Sequence, residues 1–155
     1  MRRLNRNLPE GIRVIEKEGR QIIVNKKDGY EIKVPEKWGE LEGVDYREVE
    51  NKKIVNFEGV NGEIVEIKVF DIPNKNNIEI NNWIKNRWQK LPELYINPVI
   101  IGKESINGYN VIKSKSFGGL MGELFFYYLK TNSKIYEFSS DSEESIRDVI
   151  TNGSF

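Results

Sequence analysis

Two residue types are missing from this chain of 155 residues, which contains no cysteine and no histidine. Without cysteine the chain has no disulfide and no thiolate metal ligand. Without histidine it lacks the commonest general base and the commonest ligand of transition metals. No apolar run approaches the roughly 18 residues that a membrane-spanning helix needs. We therefore expect a non-enzymatic protein with no catalytic residue, no cofactor, no metal site and no transmembrane segment.

An excess of charge of one sign is also lacking, because 24 basic residues balance 24 acidic ones. A neutral chain has no global field that attracts nucleic acid, so we expect no nucleic-acid partner. Residues 1–10 carry basic side chains and show no periodicity, which predicts a flexible basic N-terminal arm. Residues 11–155 are long enough to form a single domain with a sizeable core.

Three of the first six residues are arginine, but no apolar run follows them. This is not the pattern of an intact signal peptide. The sequence as it stands fits a cytoplasmic protein, whereas a removed leader would fit an exported or lipid-anchored one.

Alternation of apolar and polar residues predicts strands through most of the domain. Asn-Gly pairs at 61–62 and 107–108 predict two tight hairpins, because Asn-Gly favours the positive φ angles of a type I′ turn. Residues 123–129 are apolar at nearly every position, which predicts a central strand covered on both faces. The expected hairpin strands are residues 54–58 with 63–70, and residues 99–106 with 109–115.

Helical periodicity is present in two segments. The apolar residues of 78–91 fall on one arc at 3.6-residue spacing, with polar residues opposite. Residues 142–151 have a similar stripe, and Ser140 with Glu143 predicts a capping box before it. Runs of strands joined by tight hairpins, with two helices among them, predict the α+β class with one antiparallel sheet.

Several segments, in this order, resemble PsbP-like domains. The first is DGYEIKVPEKW (residues 28–38), an alternating strand that ends in proline and tryptophan. After the tryptophan-bearing segment 78–91 come GKESINGYNVIKSK (102–115), ELFFYYLK (123–130) and KIYEFSS (134–140). The resemblance implies an α/β/α sandwich, with helices on both faces of the antiparallel sheet. It also implies a mostly non-enzymatic superfamily that includes bacterial lipoproteins of unknown role, and it carries no catalytic motif.

One group of candidate binding residues lies in a glycine-rich segment that joins two expected strands. The segment places Phe117, Leu120 and Met121 in a hairpin loop. Apolar residues at a loop tip often mark a contact surface. The glycines lack the Gly-Lys-Ser/Thr ending of a phosphate-binding loop.

Two further candidates are Trp38 and Arg87. Trp38 lies in the longest irregular stretch, where it either plugs one end of the core or lines a groove. Arg87 falls within the apolar arc of the predicted helix. Its side chain either extends along the tryptophan rings to water, pairs with a buried carboxylate, or binds an anion.

Three functions stay open on this evidence. The first is a protein-binding or assembly accessory module with an unidentified protein partner, which uses the Phe117 loop. The second is a small-ligand or anion carrier with a pocket near Arg87. The third is a carboxylate-dependent hydrolase, although no motif singles out a pair of carboxylates.

Overall fold

The computed structural model describes residues 2–49, 52–72, 78–119 and 122–155. Within these residues the chain forms eleven strands, three α-helices and one 3-10 helix. The strands are β1 (Ile12–Lys17), β2 (Arg20–Asn25), β3 (Tyr30–Lys33), β4 (Leu41–Val49), β5 (Lys52–Gly59), β6 (Ile64–Asp71), β7 (Val99–Ile106), β8 (Tyr109–Gly119), β9 (Gly122–Lys130), β10 (Lys134–Ser140) and β11 (Gly153–Ser154). The α-helices are α1 (Arg2–Asn5), α2 (Ile80–Lys90) and α3 (Glu143–Thr151), and the 3-10 helix spans Glu36–Trp38.

The strands form two sheets, and neighbouring strands are antiparallel throughout both. The large sheet has seven strands in the order β4-β5-β6-β10-β9-β8-β7. The small sheet has four strands in the order β1-β2-β3-β11. Its last strand comes from the end of the chain, where Gly153 lies opposite Ile32 of β3.

The expected fold class, an α+β domain with helices on both faces of one sheet, is wrong. The α/β/α sandwich implied by the PsbP-like resemblance is wrong for the same reason. Strands β1, β2 and β3 do not join the large sheet but form a second sheet with β11. That second sheet and the short helix α3 cover a face that was assigned to helices. The antiparallel pairing itself is confirmed. The number of sheets is not predicted correctly, because alternation identifies a strand with one buried face but not the sheet that the strand joins.

The main core lies between the two sheets and α3. Alternation along β3 turns Tyr30 and Ile32 inward, where both are buried. Strand β10 contributes Tyr136 and Phe138 from the opposite side. The rings of Tyr30 and Tyr136 meet edge to face with centroids 5.9 Å apart. Burial of each large side chain contributes roughly 1.5–3 kcal/mol, so this layer holds the two sheets together.

A second, smaller core lies on the opposite face of the large sheet, beneath α2. Ile84 of α2 is fully buried there and clusters with Tyr128 and Ile135. The rings of Trp83 and Tyr128 are also in contact, with centroids 6.2 Å apart. Strand β9 runs between the two cores, and its residues 126–129 are all buried. This confirms the expectation of a central strand covered on both faces.

Both Asn-Gly hairpins are present, but their turns differ. Asn107 and Gly108 have φ angles of 53° and 80°, the positive values of a type I′ turn. In the other hairpin, Gly62 has a φ of 90°, while Asn61 is not in the left-handed region. The same dipeptide therefore makes the expected turn in only one of its two positions.

The start of α3 also differs from the expectation. Ser142 is the capping residue, and its Oγ accepts a hydrogen bond from the Ser145 amide at 3.2 Å. Ser140, the expected cap, instead donates its hydroxyl to the carbonyl of Ile64 at 2.6 Å. The side chain of Ser140, which the sequence pattern assigns to the start of the helix, therefore bonds to the neighbouring strand β6 instead.

The N-terminal residues, expected to form a flexible arm, fold against the domain as the short helix α1. Leu4 is buried in the main core. The side-chain amide of Asn5 bonds both backbone groups of Val14, at 2.9 Å to the carbonyl and 2.7 Å from the amide. A four-residue helix held by such contacts leaves no periodic signal in the sequence.

Candidate functional site

A buried carboxylate, Glu137, lies at the centre of the face beneath α2. Its strand, β10, turns Tyr136 and Phe138 towards the main core, so the residue between them must point to the other face. The register places Tyr128 of β9 and Lys68 of β6 directly beside Glu137. The Glu137 side chain has no exposed surface.

Three donors converge on one oxygen of this carboxylate. The hydroxyls of Tyr95 and Tyr128 donate to Glu137 Oε2 at 2.6 Å and 2.7 Å. Arg87 Nε donates to the same oxygen at 3.2 Å. On the other side, Lys68 Nζ lies 3.9 Å from Oε1. The buried negative charge is therefore surrounded by hydrogen-bond donors and by two cations.

Burial, and then the charge of Glu137, raise the pKa of Tyr95 and of Tyr128 well above the usual range. Both phenols therefore keep their protons at neutral pH, as donors to Glu137 must. Burial alone would lower the pKa of Arg87, but the Glu137 carboxylate outweighs it and the pKa of Arg87 is raised. Arg87 is thus a permanent cation next to its counter-ion.

The side chain of Arg87 is held rigidly between aromatic rings. It leaves α2 on the buried side of the helix, and its guanidinium carbon lies 4.4 Å from the ring centroid of Phe70 and 5.3 Å from that of Tyr95. These are cation–π contacts, which favour a positive charge over a ring face. Among the described residues, Arg87 Nη2 is buried without a hydrogen-bond partner. The guanidinium is therefore held at Nε by Glu137 and has unused donor capacity at Nη2.

An open cavity of about 410 Å³ lies beside this guanidinium, between α2 and the large sheet. Its size falls within the range of about 300–1,000 Å³ that is typical of small-molecule sites. The lining residues are Phe70, Trp83, Asn86, Arg87, Lys90 and Leu91. This lining has an aromatic and aliphatic wall, two cations and an amide, and among the described residues no carboxylate lines it.

The arrangement holds a paired cation beside an open cavity. The carboxylate of Glu137 is buried beneath Arg87, so its chemical role is to fix the guanidinium. The acidic side chains needed by the hydrolase hypothesis gather elsewhere, at a second cavity of about 450 Å³ lined by Glu16, Glu18, Glu36 and Glu40. No group of three possible metal ligands is assembled in the described part of the chain.

The five residues singled out from the sequence do not come together. Arg87 lines the cavity, whereas Trp38 is buried in the main core against Phe57, with ring centroids 6.3 Å apart. Phe117 is 47% exposed on β8, on the far side of the large sheet from α2. Leu120 and Met121 lie outside the described residues.

Sequence reasoning missed Glu137 and its two tyrosine partners. In the sequence, Glu137 is a single charged residue between the aromatic residues Tyr136 and Phe138. Arg87 interrupts the apolar arc of α2 in the same way. A charge within a predicted apolar arc, such as Arg87, is a candidate for a buried ion pair, but the sequence does not identify its partner.

Comparison with known proteins identifies no relative. No family model matches the chain, no curated protein matches it, and no solved structure matches it. The PsbP-like resemblance stays a prediction that depends on the quoted segments alone. Among the described helices, none is both long enough and apolar enough to cross a bilayer.

Proposed function

We propose that the protein is a small-ligand-binding domain whose ligand occupies the cavity between α2 and the large sheet. One observation carries the proposal: Arg87 Nη2 is buried without a hydrogen-bond partner among the described residues, in a side chain that lines this cavity. A buried donor that stays unpaired costs about 1–3 kcal/mol. A ligand with an acceptor group recovers that free energy on binding.

The rigidity of Arg87 supports the same function. Its Nε is bonded to Glu137, and its guanidinium lies over the Phe70 ring. Ordering a flexible arginine on binding costs about 0.5–1.5 kcal/mol. Because the side chain is already ordered, that cost is absent and the site is preorganised for its ligand.

Filling the cavity tests the proposal. Asn86 is exposed and lines the cavity, so Asn86→Trp places a large ring there without removing a core contact. Asn82, one turn earlier on α2, is equally exposed but does not line the cavity, which makes Asn82→Trp the matched control. A thermal-shift screen of small molecules is carried out on both variants and on the unsubstituted protein.

We expect compounds that raise the melting temperature of the unsubstituted protein and of Asn82→Trp but not of Asn86→Trp. A ligand present at one hundred times its dissociation constant stabilises the native state by about 2.7 kcal/mol, which such a screen detects easily. The proposal fails if no compound stabilises the protein, or if Asn86→Trp responds as strongly as the control.

A second candidate function, self-assembly, is favoured by an exposed apolar surface around Phe117. On the neighbouring edge strand β7, Val99 and Ile101 are 43% and 40% exposed. Phe117 is hydrogen-bonded through its amide to the carbonyl of the exposed Ile96, at 2.9 Å. Exposed apolar residues along a sheet edge favour pairing with another chain. We propose a second copy of this chain as that partner, because two-fold pairing buries the same surface on both molecules.

A further inference from the structure

The charges around the cavity leave a positive excess. Glu137 faces Arg87 on one side and Lys68 on the other, so one carboxylate is shared by two cations. Lys68 has a second acidic neighbour, Glu66, at 3.8 Å. Lys90 adds a further positive charge at the exposed end of the cavity, and no ion pair of Lys90 is formed within the described residues. Three cations thus accompany two carboxylates.

The apolar part of the lining has a defined shape. The rings of Phe70 and Trp83 meet edge to face, with centroids 5.0 Å apart and planes inclined at 66°. Leu91 closes the wall at the end of the helix. Such an aromatic and aliphatic wall favours contact with a flat apolar group.

The available end of Arg87 restricts the polar contact. Glu137 accepts the hydrogen bond of Nε, and Nη2 is the buried nitrogen of this side chain that has no partner among the described residues. Two N–H groups of a guanidinium match two oxygens of a carboxylate or sulfonate in a bidentate pair. The rigid planar geometry makes this contact selective for an anionic oxygen pair over a single neutral acceptor.

We propose that the ligand is a small amphipathic anion, with a flat apolar body against Phe70, Trp83 and Leu91 and an anionic head group on Arg87 and Lys90. This inference rests on the proposed ligand-binding function and adds the class of ligand. The positive excess selects the charge of the head group, and the aromatic and aliphatic wall selects the apolar body.

Calorimetric titration with probes that share one ring system tests the charge requirement. The probes are 2-naphthoate, the neutral 2-naphthalenemethanol and the cationic 2-naphthylmethylammonium, with acetate as a head group that lacks the body. We expect 2-naphthoate to bind about tenfold more tightly than the neutral alcohol, which corresponds to about 1.4 kcal/mol and is of the order of one favourable charge contact. The ammonium probe and acetate are expected to bind more weakly still.

A matched pair of lysine variants locates the effect. Lys90 and Lys85 are both exposed on α2, but only Lys90 lines the cavity. Lys90→Glu is expected to weaken 2-naphthoate binding by about tenfold, because it replaces an attraction by a repulsion, and to leave binding of the alcohol unchanged. Lys85→Glu makes the same change in net charge on the opposite side of the helix and is expected to have little effect.

The outcomes separate this inference from the function on which it rests. Equal binding of the anion and the alcohol, blocked by Asn86→Trp, overturns the anion requirement but leaves the ligand-binding function intact. Tighter binding of the ammonium probe, or equal effects of Lys90→Glu and Lys85→Glu, also overturns it. If no naphthalene probe binds, this inference fails, whereas the ligand-binding function fails only if the wider thermal-shift screen also finds no ligand that Asn86→Trp excludes.

Discussion

Glu137 is held inside the fold through its oxygen Oε2, whereas Oε1 is buried without a hydrogen-bond partner among the described residues. Removing a carboxylate from water costs several kcal/mol unless hydrogen bonds and an opposite charge replace the solvent. Two tyrosine hydroxyls and the Arg87 Nε supply the hydrogen bonds, and Arg87 and Lys68 supply the charge. The ion pair between Glu137 and Arg87 also fixes the orientation of the arginine that lines the cavity.

Replacing Glu137 by glutamine keeps the shape and removes the charge. Glu137→Gln leaves Arg87 buried without its counter-ion, and we expect a loss of about 3–5 kcal/mol in the free energy of unfolding. Urea denaturation measures the loss. Glu66→Gln is the matched control, because Glu66 pairs with Arg47 and Lys68 at 3.6 Å and 3.8 Å in a more exposed position. That control is expected to cost about 1 kcal/mol or less.

A double variant distinguishes pairing from simple packing. Glu137→Gln with Arg87→Met removes both charges, so neither is left buried alone, and we expect it to be less destabilised than the sum of the single variants. Strict additivity would mean that the two side chains do not stabilise each other across the 3.2 Å contact. A loss for Glu66→Gln as large as that for Glu137→Gln would contradict the importance of burial.

At the scale of single residues, the sequence predicts that Arg87 is unusual but does not predict which residues contact it. Arg87 is conspicuous because it interrupts an apolar helical arc, and Trp38 is ambiguous because an irregular stretch has no period. Arg87 bonds to Glu137 of β10, which also accepts hydrogen bonds from Tyr128 of β9 and from Tyr95 in the segment after α2. Their meeting depends on strand order and register, which local patterns do not contain.

Among the elements, the hairpin between β7 and β8 makes a contact beyond its own turn. Asn107 has a positive φ, and its side-chain amide donates to the carbonyls of Ile150 and Gly153 at 3.3 Å and 3.0 Å. The turn therefore ties the large sheet to the end of α3 and to the strand that completes the small sheet. The asparagine at this position both adopts the positive φ and supplies the two hydrogen bonds.

Substitutions at Asn107 separate these two contributions. Asn107→Gly keeps the left-handed backbone accessible and removes the side-chain bonds, with an expected loss of about 1–2 kcal/mol in the free energy of unfolding. Asn107→Ala adds the left-handed strain and is expected to cost about 1 kcal/mol more. Asn61→Ala, in the other Asn-Gly hairpin, involves no positive φ and is expected to cost less. Thermal and urea unfolding measure all three, and equal losses for Asn107→Gly and Asn107→Ala would contradict the strain contribution.

Elements with a strong local signal are predicted well from the sequence. The apolar arc of residues 78–91 corresponds to α2 (Ile80–Lys90), and the run 123–129 lies within β9. The capping residue of α3 is missed by two positions, because both Ser140 and Ser142 are suitable caps and a contact with β6 decides between them. A tertiary contact therefore decides which of two equally suitable serines caps the helix.

At the scale of the whole molecule, the prediction that all strands belong to one sheet is wrong. The segment from β1 to β3 has the alternation of any half-covered strand. Its inner face packs on the large sheet instead of extending it, and the closing strand β11 is only two residues long. Neither feature gives a periodic signal in the sequence, so local sequence patterns do not predict the two-sheet arrangement.

The exposed edge of the large sheet yields a prediction about the molecule as a unit. If β7 pairs with a second copy, analytical ultracentrifugation is expected to detect a concentration-dependent dimer. Phe117→Ser is expected to weaken dimerisation about tenfold, because loss of a large apolar contact costs about 1.4 kcal/mol or more. Val60 is also 47% exposed but lies in the turn between β5 and β6, so Val60→Ser is the control and leaves the dimer unchanged. A monomer at all concentrations overturns self-assembly.

The pairing of β3 with β11 has a consequence for how the protein is made. Ile32 leaves the ribosome long before its partner Gly153 is synthesised. At about 5–20 residues per second, β3 waits on the order of ten seconds for that partner. During this interval the nascent small sheet exposes the apolar side chains that it later presses against β6 and β10. The small sheet is therefore completed only once Gly153 has emerged, and until then the apolar face of its first three strands has no β11 beside it.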